Sequence, residues 1–180
     1  HGEALTTTRE AWKGEISIMK DVLSAYRDKD GEIIFEYDIP RLGKRVDVVL
    51  LLDGLIFCLE FKVGAERFET ADKEQVWDYA LDLKNFHEPT RDLFVVPILV
   101  ATDAPTELFE LKTCNYDEKV YVPLLANAVA LKEVIKKVLD ATPVSSIDGM
   151  TWARGRYSPT PTIIQAASAL YARHNVENIT

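Results

Sequence analysis

Two acidic residues and a lysine interrupt a long apolar stretch, RVDVVLLLDGLIFCLEFKV, which spans residues 45–63. Asp47 lies near the start of this stretch, and Glu60 and Lys62 lie near its end. Carboxylates are hard oxygen ligands for Mg²⁺, and a neighbouring lysine can orient an attacking water or stabilise charge on a phosphoryl group. These residue types suit metal-dependent cleavage of a phosphodiester, provided that the fold brings them together.

The register of a predicted hairpin places the two carboxylates opposite each other. Residues 53–54 are Asp-Gly between two apolar runs, which is typical of a type I′ turn with positive φ at both central residues. Counting outward from a two-residue loop brings Asp47 opposite Glu60, on the same face of the sheet. Lys62 lies two residues beyond Glu60 and shares that face.

Opposed carboxylates are costly, so their presence requires an explanation. Directly opposed residues have Cβ atoms ~4.5–5.5 Å apart. At an effective dielectric constant of about 20, two such charges repel by roughly 3 kcal/mol. A divalent cation, a shared proton or Lys62 as counter-ion would each relieve the repulsion. The structural alternative is a buried ion pair or triad that only fixes strand register.

The spacing of these residues resembles that of the PD-(D/E)xK nuclease superfamily. Asp47 is followed by the tripeptide EFK at positions 60–62, and QVWDY places Gln75 and Tyr79 four residues apart on a predicted helix. The latter pair is similar to the QxxxY motif of the RecB-type branch. The resemblance covers roughly residues 10–125 and implies a restriction-endonuclease-like αβββαβ core of class α/β, with a mixed central sheet flanked by helices.

The resemblance also implies an activity, which is nucleic-acid cleavage with Mg²⁺ or Mn²⁺ as cofactor. Many superfamily members carry a further acid on the first helix, and Glu15 is the candidate here; the alternative is a solvated glutamate at the edge of the buried stripe. The implied catalytic residues are Asp47, Glu60, Lys62, Gln75 and Tyr79, and the implied metal ligands are Asp47, Glu60 and Glu15. Glu36, on the first strand, is a weaker candidate.

A second likeness covers nearly the whole chain. The segments FEYDIPRLGKRVD, EFKVG, EQVWDYALDLKNFH, VPILVAT and YSPTPTIIQAA together resemble the amino-terminal part of large bacterial proteins. In those proteins a nuclease-like block precedes a helicase domain related to the Schlafen helicases. The implied partners are nucleic acid, DNA rather than RNA, and a helicase domain of the same protein. Residues 1–150 would form the nuclease-like domain, and 151–180 the linker and first helix towards the helicase.

Several of these residues also have ordinary structural explanations. Gln75 can form a capping box with Asp72 at the start of a helix, and Tyr79 can be a core residue. Three further [DE]xK tripeptides occur in the chain, and their polar surroundings indicate that they are solvated. These tripeptides begin at Asp82, Glu110 and Asp117.

Basic residues flank the acids in the sequence. Arg41, Lys44 and Arg45 precede Asp47, and Arg67 follows the Lys62 strand. These four side chains are candidates for phosphate contacts, although charged loop residues are commonly only solvated. The net charge of −8 argues against strong independent binding of nucleic acid, because such binding draws on Lys and Arg.

Composition limits the class of protein. A chain of 180 residues, 47% hydrophobic, suits one compact domain with an appended segment. No apolar run reaches the ~18 residues that a membrane span requires. Cys58 and Cys114 are expected to be buried free thiols, and no Cys/His cluster suggests structural zinc. We therefore expect a cytoplasmic protein without a membrane association.

The elements that must position the site follow from hydrophobic periodicity and turn residues. In the first helix Trp12, Ile16, Met19 and Leu23 recur at helical spacing, and Glu15 borders that face. A meander of three strands that feeds a helical crossover favours a mixed sheet with helices on both faces. The predicted elements are a helix at 8–31, a strand at 32–40, the hairpin at 45–63, a helix at 70–87, strands at 94–102 and 119–125, and a helix at 130–140.

Overall fold

The structure, a computed structural model, describes residues 2–115, 117–158 and 168, with side chains from residue 8 onward. Helices and strands follow the predicted order through the first four strands. The helices are α1 (Gly2–Ser24), α2 (Thr70–Phe86), α3 (Leu131–Ala141) and α4 (Gly149–Ala153), with a 3₁₀ turn at Glu88–Thr90. The strands are β1 (Gly31–Ile39), β2 (Lys44–Leu52), β3 (Leu55–Lys62), β4 (Val95–Ala101), β5 (Thr113–Cys114), β6 (Asp117–Tyr121) and β7 (Leu124–Ala126).

The strands form one mixed sheet in the order β1-β2-β3-β4-β6-β5, and β7 also pairs with β4. Strands β1, β2 and β3 form an antiparallel meander, whereas β4 runs parallel to β3 after the α2 crossover. The predicted fold class, α/β with a mixed sheet flanked by helices, is therefore confirmed.

The predicted hairpin register is confirmed residue by residue. The β2–β3 ladder runs from Leu52 opposite Leu55 to Val48 opposite Leu59. Residues 53–54 have φ values of 52° and 78°, as a type I′ turn requires. The side chains of the paired residues 48–52 and 55–59 are buried on both faces of the sheet, which explains why these runs are continuously apolar.

Helices cover both faces of the sheet. On one face α1 and α3 pack on β2, β3 and β4 through residues such as Met19 and Ile135. On the other face α2 and α4 contribute Val76, Leu83 and the fully buried Trp152. Among the described residues no helix is long and apolar enough to cross a membrane. Cys58 and Cys114 are buried free thiols, as predicted.

Two elements differ from the sequence-based expectation. The sequence predicts Trp12 on the buried stripe of α1, but 47% of its surface is exposed. The predicted strand at 119–125 is split into β6 and β7. Pro123 has no N–H to donate, and the Val122 N–H donates to the Lys112 carbonyl at 2.7 Å.

The folded body extends past the predicted boundary at residue 150. The Trp152 indole N–H donates to Thr90 Oγ1 at 2.9 Å, and the Ser158 N–H donates to the Phe86 carbonyl at 2.6 Å. Residues 149–158 therefore belong to the compact body. Most of the predicted connection to a further domain, 159–167 and 169–180, lies outside the described residues, so that connection stays a prediction.

Candidate active site

Acidic residues of three neighbouring strands lie at one level of the sheet. The β1–β2 ladder pairs the residues on either side of Glu36 and Asp47, so these two face each other. Continuing the β2–β3 register places Asp47 opposite Glu60, as predicted. At this level the strands part, and the Phe61 N–H donates to Asp47 Oδ2 at 2.8 Å. The Asp47 carboxylate is thus oriented by a backbone group of β3.

Glu36 has an unusual backbone conformation for a strand residue. Its φ is 54°, in the left-handed region that residues other than glycine rarely adopt. Such backbone strain clusters at functional sites in proteins, where the surrounding structure holds it in place. Glu36, which faces Asp47, is such a residue.

Lys62 lies between two carboxylates. Its Nζ is 3.8 Å from Glu60 Oε1 and 3.6 Å from Asp72 Oδ1, and 34% of its side-chain surface is exposed. The predicted capping box of Asp72 and Gln75 is wrong, because α2 begins at Thr70, two residues earlier, and its N-cap has no side-chain hydrogen bond. Asp72, in the first turn of α2, is directed to Lys62 instead.

Glu60 is the most strongly perturbed acid of the site. It is buried, and its Oε2 has no hydrogen-bond partner among the described residues. Its pKa is raised to about 9, and burial is the main cause. The neighbouring Asp47 carboxylate also raises this pKa, by more than the Lys62 ammonium lowers it. Glu60 therefore holds a proton near neutral pH unless a cation replaces it.

Glu15 reaches the site from α1. It is buried on the same helical face as Met19, in agreement with its predicted position at the border of that face. Burial raises the pKa of Glu15 to about 7, and the charges of Asp47 and Glu36 add to this effect. Two helices and three strands thus contribute acidic groups to one small region.

The predicted QxxxY pair adjoins the acids. Tyr79 is buried on α2, and its hydroxyl lies beside the side chain of Gln75, one turn earlier on the same helix. Burial raises the pKa of Tyr79 to about 12, and the Glu60 and Asp47 carboxylates contribute to the rise. The structure therefore brings all six predicted catalytic and metal-binding residues into one neighbourhood.

The predicted phosphate-binding residues are arranged differently. Three of the four are paired with carboxylates, and Lys44 lies exposed at the start of β2. The pairs are Arg41 with Asp82, Arg45 with Asp38 and Arg67 with Glu69, at 2.9, 2.9 and 3.0 Å. The guanidinium of Arg41 also stacks 3.9 Å above the Phe86 ring, which gives it a structural role.

One of the other [DE]xK tripeptides is not solvated, contrary to expectation. Asp82 and Lys84 are both buried on α2. Lys84 donates to the carbonyls of Thr90, Arg91 and Leu93, so its ammonium fixes the turn that follows α2. By contrast, Glu110 and Lys112 form an exposed ion pair, as expected of a solvated tripeptide.

The acids fit a divalent cation only in part. In the part of the chain that the structure describes, no three Asp, Glu, His or Cys side chains form a metal-binding group. However, Mg²⁺ commonly binds one or two carboxylates and keeps several waters. The unpartnered Oε2 of buried Glu60 and the facing Asp47 carboxylate supply such a pair.

Asp72 is the site residue that sequence reasoning assigned differently. The feature of the sequence that could have identified it is its position, an acid in the first turn of the helix that follows the Lys62 strand.

A scan against protein-family models finds no match, and neither a curated protein nor a solved structure matches the chain. The resemblance to the PD-(D/E)xK superfamily therefore stays a prediction that depends on the site residues alone.

Proposed function

We propose that this chain is a metal-dependent nuclease module of the PD-(D/E)xK type, which hydrolyses phosphodiester bonds of nucleic acid, DNA in preference to RNA. One observation carries the proposal. Two facing carboxylates, of Asp47 and Glu60, lie at the point where two strands part, and Lys62 Nζ lies 3.8 Å from one of them. In the proposed full-length protein this module works beside a helicase domain.

Asp47 and Glu60 would hold Mg²⁺ or Mn²⁺, with Glu15 beside them. When bound, the cation supplies Lewis-acid polarisation of the phosphate and a lower pKa for water. The Phe61 N–H keeps Asp47 oriented, which reduces the reorganisation that substrate binding requires. The raised pKa of Glu15, about 7, makes it a second carboxyl that can hold or release a proton near the site at neutral pH.

Lys62 acts on the phosphate. Its ammonium is partly exposed and flanked by Glu60 and Asp72, so it is held at the mouth of the site. From there it donates hydrogen bonds to non-bridging phosphate oxygens, on which negative charge increases in the transition state. Gln75 and Tyr79 form the α2 wall and position the substrate beside the acids.

A second candidate function is a nucleic-acid-binding or regulatory module with weak or no catalysis, attached to a helicase motor. The observation that favours it is that no three described acids form a metal-binding group. Under this alternative the acid cluster binds a cation weakly and serves to grip nucleic acid. The two candidates differ in turnover and can be separated by one assay.

The assay measures cleavage of circular duplex DNA and of single-stranded DNA with Mg²⁺ or Mn²⁺. Lys62→Ala and Asp47→Asn should each lower the rate by about 10²–10³-fold, because each removes transition-state stabilisation. Lys112→Ala is the matched control, since it removes the lysine of an exposed ExK tripeptide. It should leave the rate unchanged.

Two results would contradict the proposal. Cleavage that survives Lys62→Ala at the wild-type rate would show that the activity comes from elsewhere. No cleavage of any substrate by the wild-type chain, across a full titration of both metals, would favour the binding module.

A further inference from the structure

The charges of α1 are segregated around the helix. Arg9, Lys13 and Lys20 are separated by four and seven residues, which returns them to one side of the helix, and all three are exposed. The exposed acids Glu10 and Asp21 are eleven residues, or about three turns, apart and lie together on the neighbouring side. We call the set of three cations the basic flank of α1.

The position of this flank follows from an ion pair. Asp21 Oδ1 is 3.2 Å from Lys132 Nζ, so the acidic side of α1 faces α3. The basic flank therefore lies on the side away from α3. A shallow cleft lined by Leu23, Arg27 and Ile33 shows that this side adjoins β1, the edge strand that carries Glu36.

The cations of the basic flank are available to a ligand. Within the described ranges, no carboxylate lies within ion-pair distance of Arg9, Lys13 or Lys20. This contrasts with the paired arginines beside the site. In a chain of net charge −8, three such cations in a row present a local surface complementary to a polyanion.

An exposed aromatic side chain joins this flank to the acids. Trp12 lies one helical turn before Glu15, on the same side of α1, and between the basic flank and the buried face. About half of its surface is exposed, whereas Trp152 is fully buried. An exposed indole next to cations is a platform on which an unpaired base can stack.

We propose that α1 carries the entry path for single-stranded nucleic acid. Arg9, Lys13 and Lys20 contact phosphates of one strand, and Trp12 stacks on a base one turn before the acids. Stacking on an indole requires an unpaired base, so the path selects single strands over duplexes. The direction in which the bound strand runs, towards Asp47 and Glu60, rests on the proposed function.

Binding is measured without divalent metal, in EDTA, by the anisotropy of a fluorescein-labelled oligothymidylate of about 12 nucleotides. The Arg9→Ala, Lys13→Ala double variant should bind about tenfold more weakly. The slope of log Kd against the logarithm of the salt concentration should fall by about 1.4, which is about 0.7 for each of the two lost phosphate contacts. The matched control is Lys136→Ala, Lys137→Ala, which removes two exposed cations from α3 and should change neither quantity.

Stacking is tested separately. Trp12→Ala should weaken binding about tenfold, whereas Trp12→Phe should keep most of the affinity. Met150→Ala, at a similarly exposed apolar side chain of α4, is the control and should have no effect.

The wild-type chain is also tested with three other ligands, which are oligouridylate, the corresponding duplex and polyglutamate. Duplex and polyglutamate should bind more weakly than either single strand.

The proposal is overturned by undetectable binding of the wild type, by equal affinities of the α1 and α3 double variants, or by a Trp12→Ala variant that binds normally. Polyglutamate bound as tightly as the oligonucleotide would also overturn it. These outcomes are independent of cleavage, since no metal is present. If the chain binds single strands through α1 but cleaves nothing, the entry path is supported and the proposed nuclease function is contradicted.

Discussion

The buried carboxyl group of Glu60 binds either a proton or a cation. Because burial and Asp47 raise its pKa to about 9, the folded chain binds this proton more tightly than the unfolded chain does. The resulting stability is fully present below pH 4.5 and is lost as the pH rises through about 9. Metal binding must displace the proton, so the apparent metal affinity should increase with pH over this range.

Glu60→Gln should therefore stabilise the metal-free protein at high pH. The variant cannot ionise, and a gain of about 1–3 kcal/mol in unfolding free energy is expected at pH 8. At pH 5 the gain should disappear, because the wild-type carboxyl is already protonated. Urea unfolding in EDTA at both pH values measures the difference. A variant that is less stable than wild type at pH 8 would show that the Glu60 charge is compensated in the folded state.

Asp72 should affect catalysis through Lys62. Asp72→Asn removes one of the two carboxylates beside the ammonium and should lower kcat about tenfold, with KM and metal affinity unchanged. Asp72→Glu should recover part of the rate, because a charge remains within reach. Steady-state kinetics and metal titration test this. A change in KM alone would instead assign Asp72 to substrate binding.

The facing acids could be predicted because one short turn sets their register. The Asp-Gly pair at 53–54 permits a two-residue loop, and every later pair, as far as Asp47 and Glu60, follows by counting. The second carboxylate beside Lys62, that of Asp72, could not be found in this way. Asp72 lies in the first turn of α2, after the connecting segment 63–69, and the path of that segment cannot be counted from a strand register.

At the scale of elements, the carboxyl end of α2 holds the segment 149–158 in place. His87 Nδ1 lies 2.7 Å from Thr90 Oγ1, which also accepts the Trp152 indole N–H. The His87 ring packs against Trp152 and Tyr157, with centroids 4.6 and 5.2 Å away. Its Nε2 has no hydrogen-bond partner among the described residues.

Acid should loosen this junction. Burial lowers the pKa of His87 to about 4, from an ordinary value near 6.5. The unfolded chain therefore takes up the proton first, and stability should fall by up to about 3 kcal/mol between pH 6.5 and 4. His87→Leu should lack this component. Urea unfolding of both proteins across the range measures it, and parallel pH profiles would contradict the assignment to His87.

Strand and helix types were predictable, whereas several burial assignments were not. The break between β6 and β7 at Pro123 is visible in the sequence, but its effect depends on the Lys112 carbonyl, which receives the Val122 N–H. Asp82 and Lys84 appear solvated in the sequence, yet packing supplies Arg41 and three carbonyls as partners. Local composition cannot reveal such distant partners.

At the scale of the whole molecule, metal binding should raise global stability. A cation that binds only the folded state stabilises it by RT ln(1 + [L]/Kd), or about 1.4 kcal/mol at ten times Kd. For a chain of this size that corresponds to a rise in Tm of roughly 3–6 °C. Thermal melts with millimolar Mg²⁺ or Mn²⁺ measure it.

Asp47→Asn is the matched control for these melts. It should abolish the metal-dependent rise and leave the metal-free protein at least as stable as wild type, because it removes the like charge that opposes ionisation of Glu60 in the folded chain. The asparagine amide oxygen can still accept the Phe61 N–H. A metal-free variant much less stable than wild type would identify Asp47 as a structural residue. An unchanged wild-type Tm throughout the titration would argue against a working metal site.

The left-handed backbone of Glu36 limits which amino acids the chain can carry at that position. An L-residue held there loses roughly 1–2 kcal/mol, whereas glycine does not, and asparagine and aspartate tolerate the conformation better than most. Valine or isoleucine would suit the strand but not this φ. The substitutions that the protein accepts at residue 36 should therefore depend more on backbone geometry than on charge. Aspartate is the substitution that suits both the left-handed conformation and the acidic site.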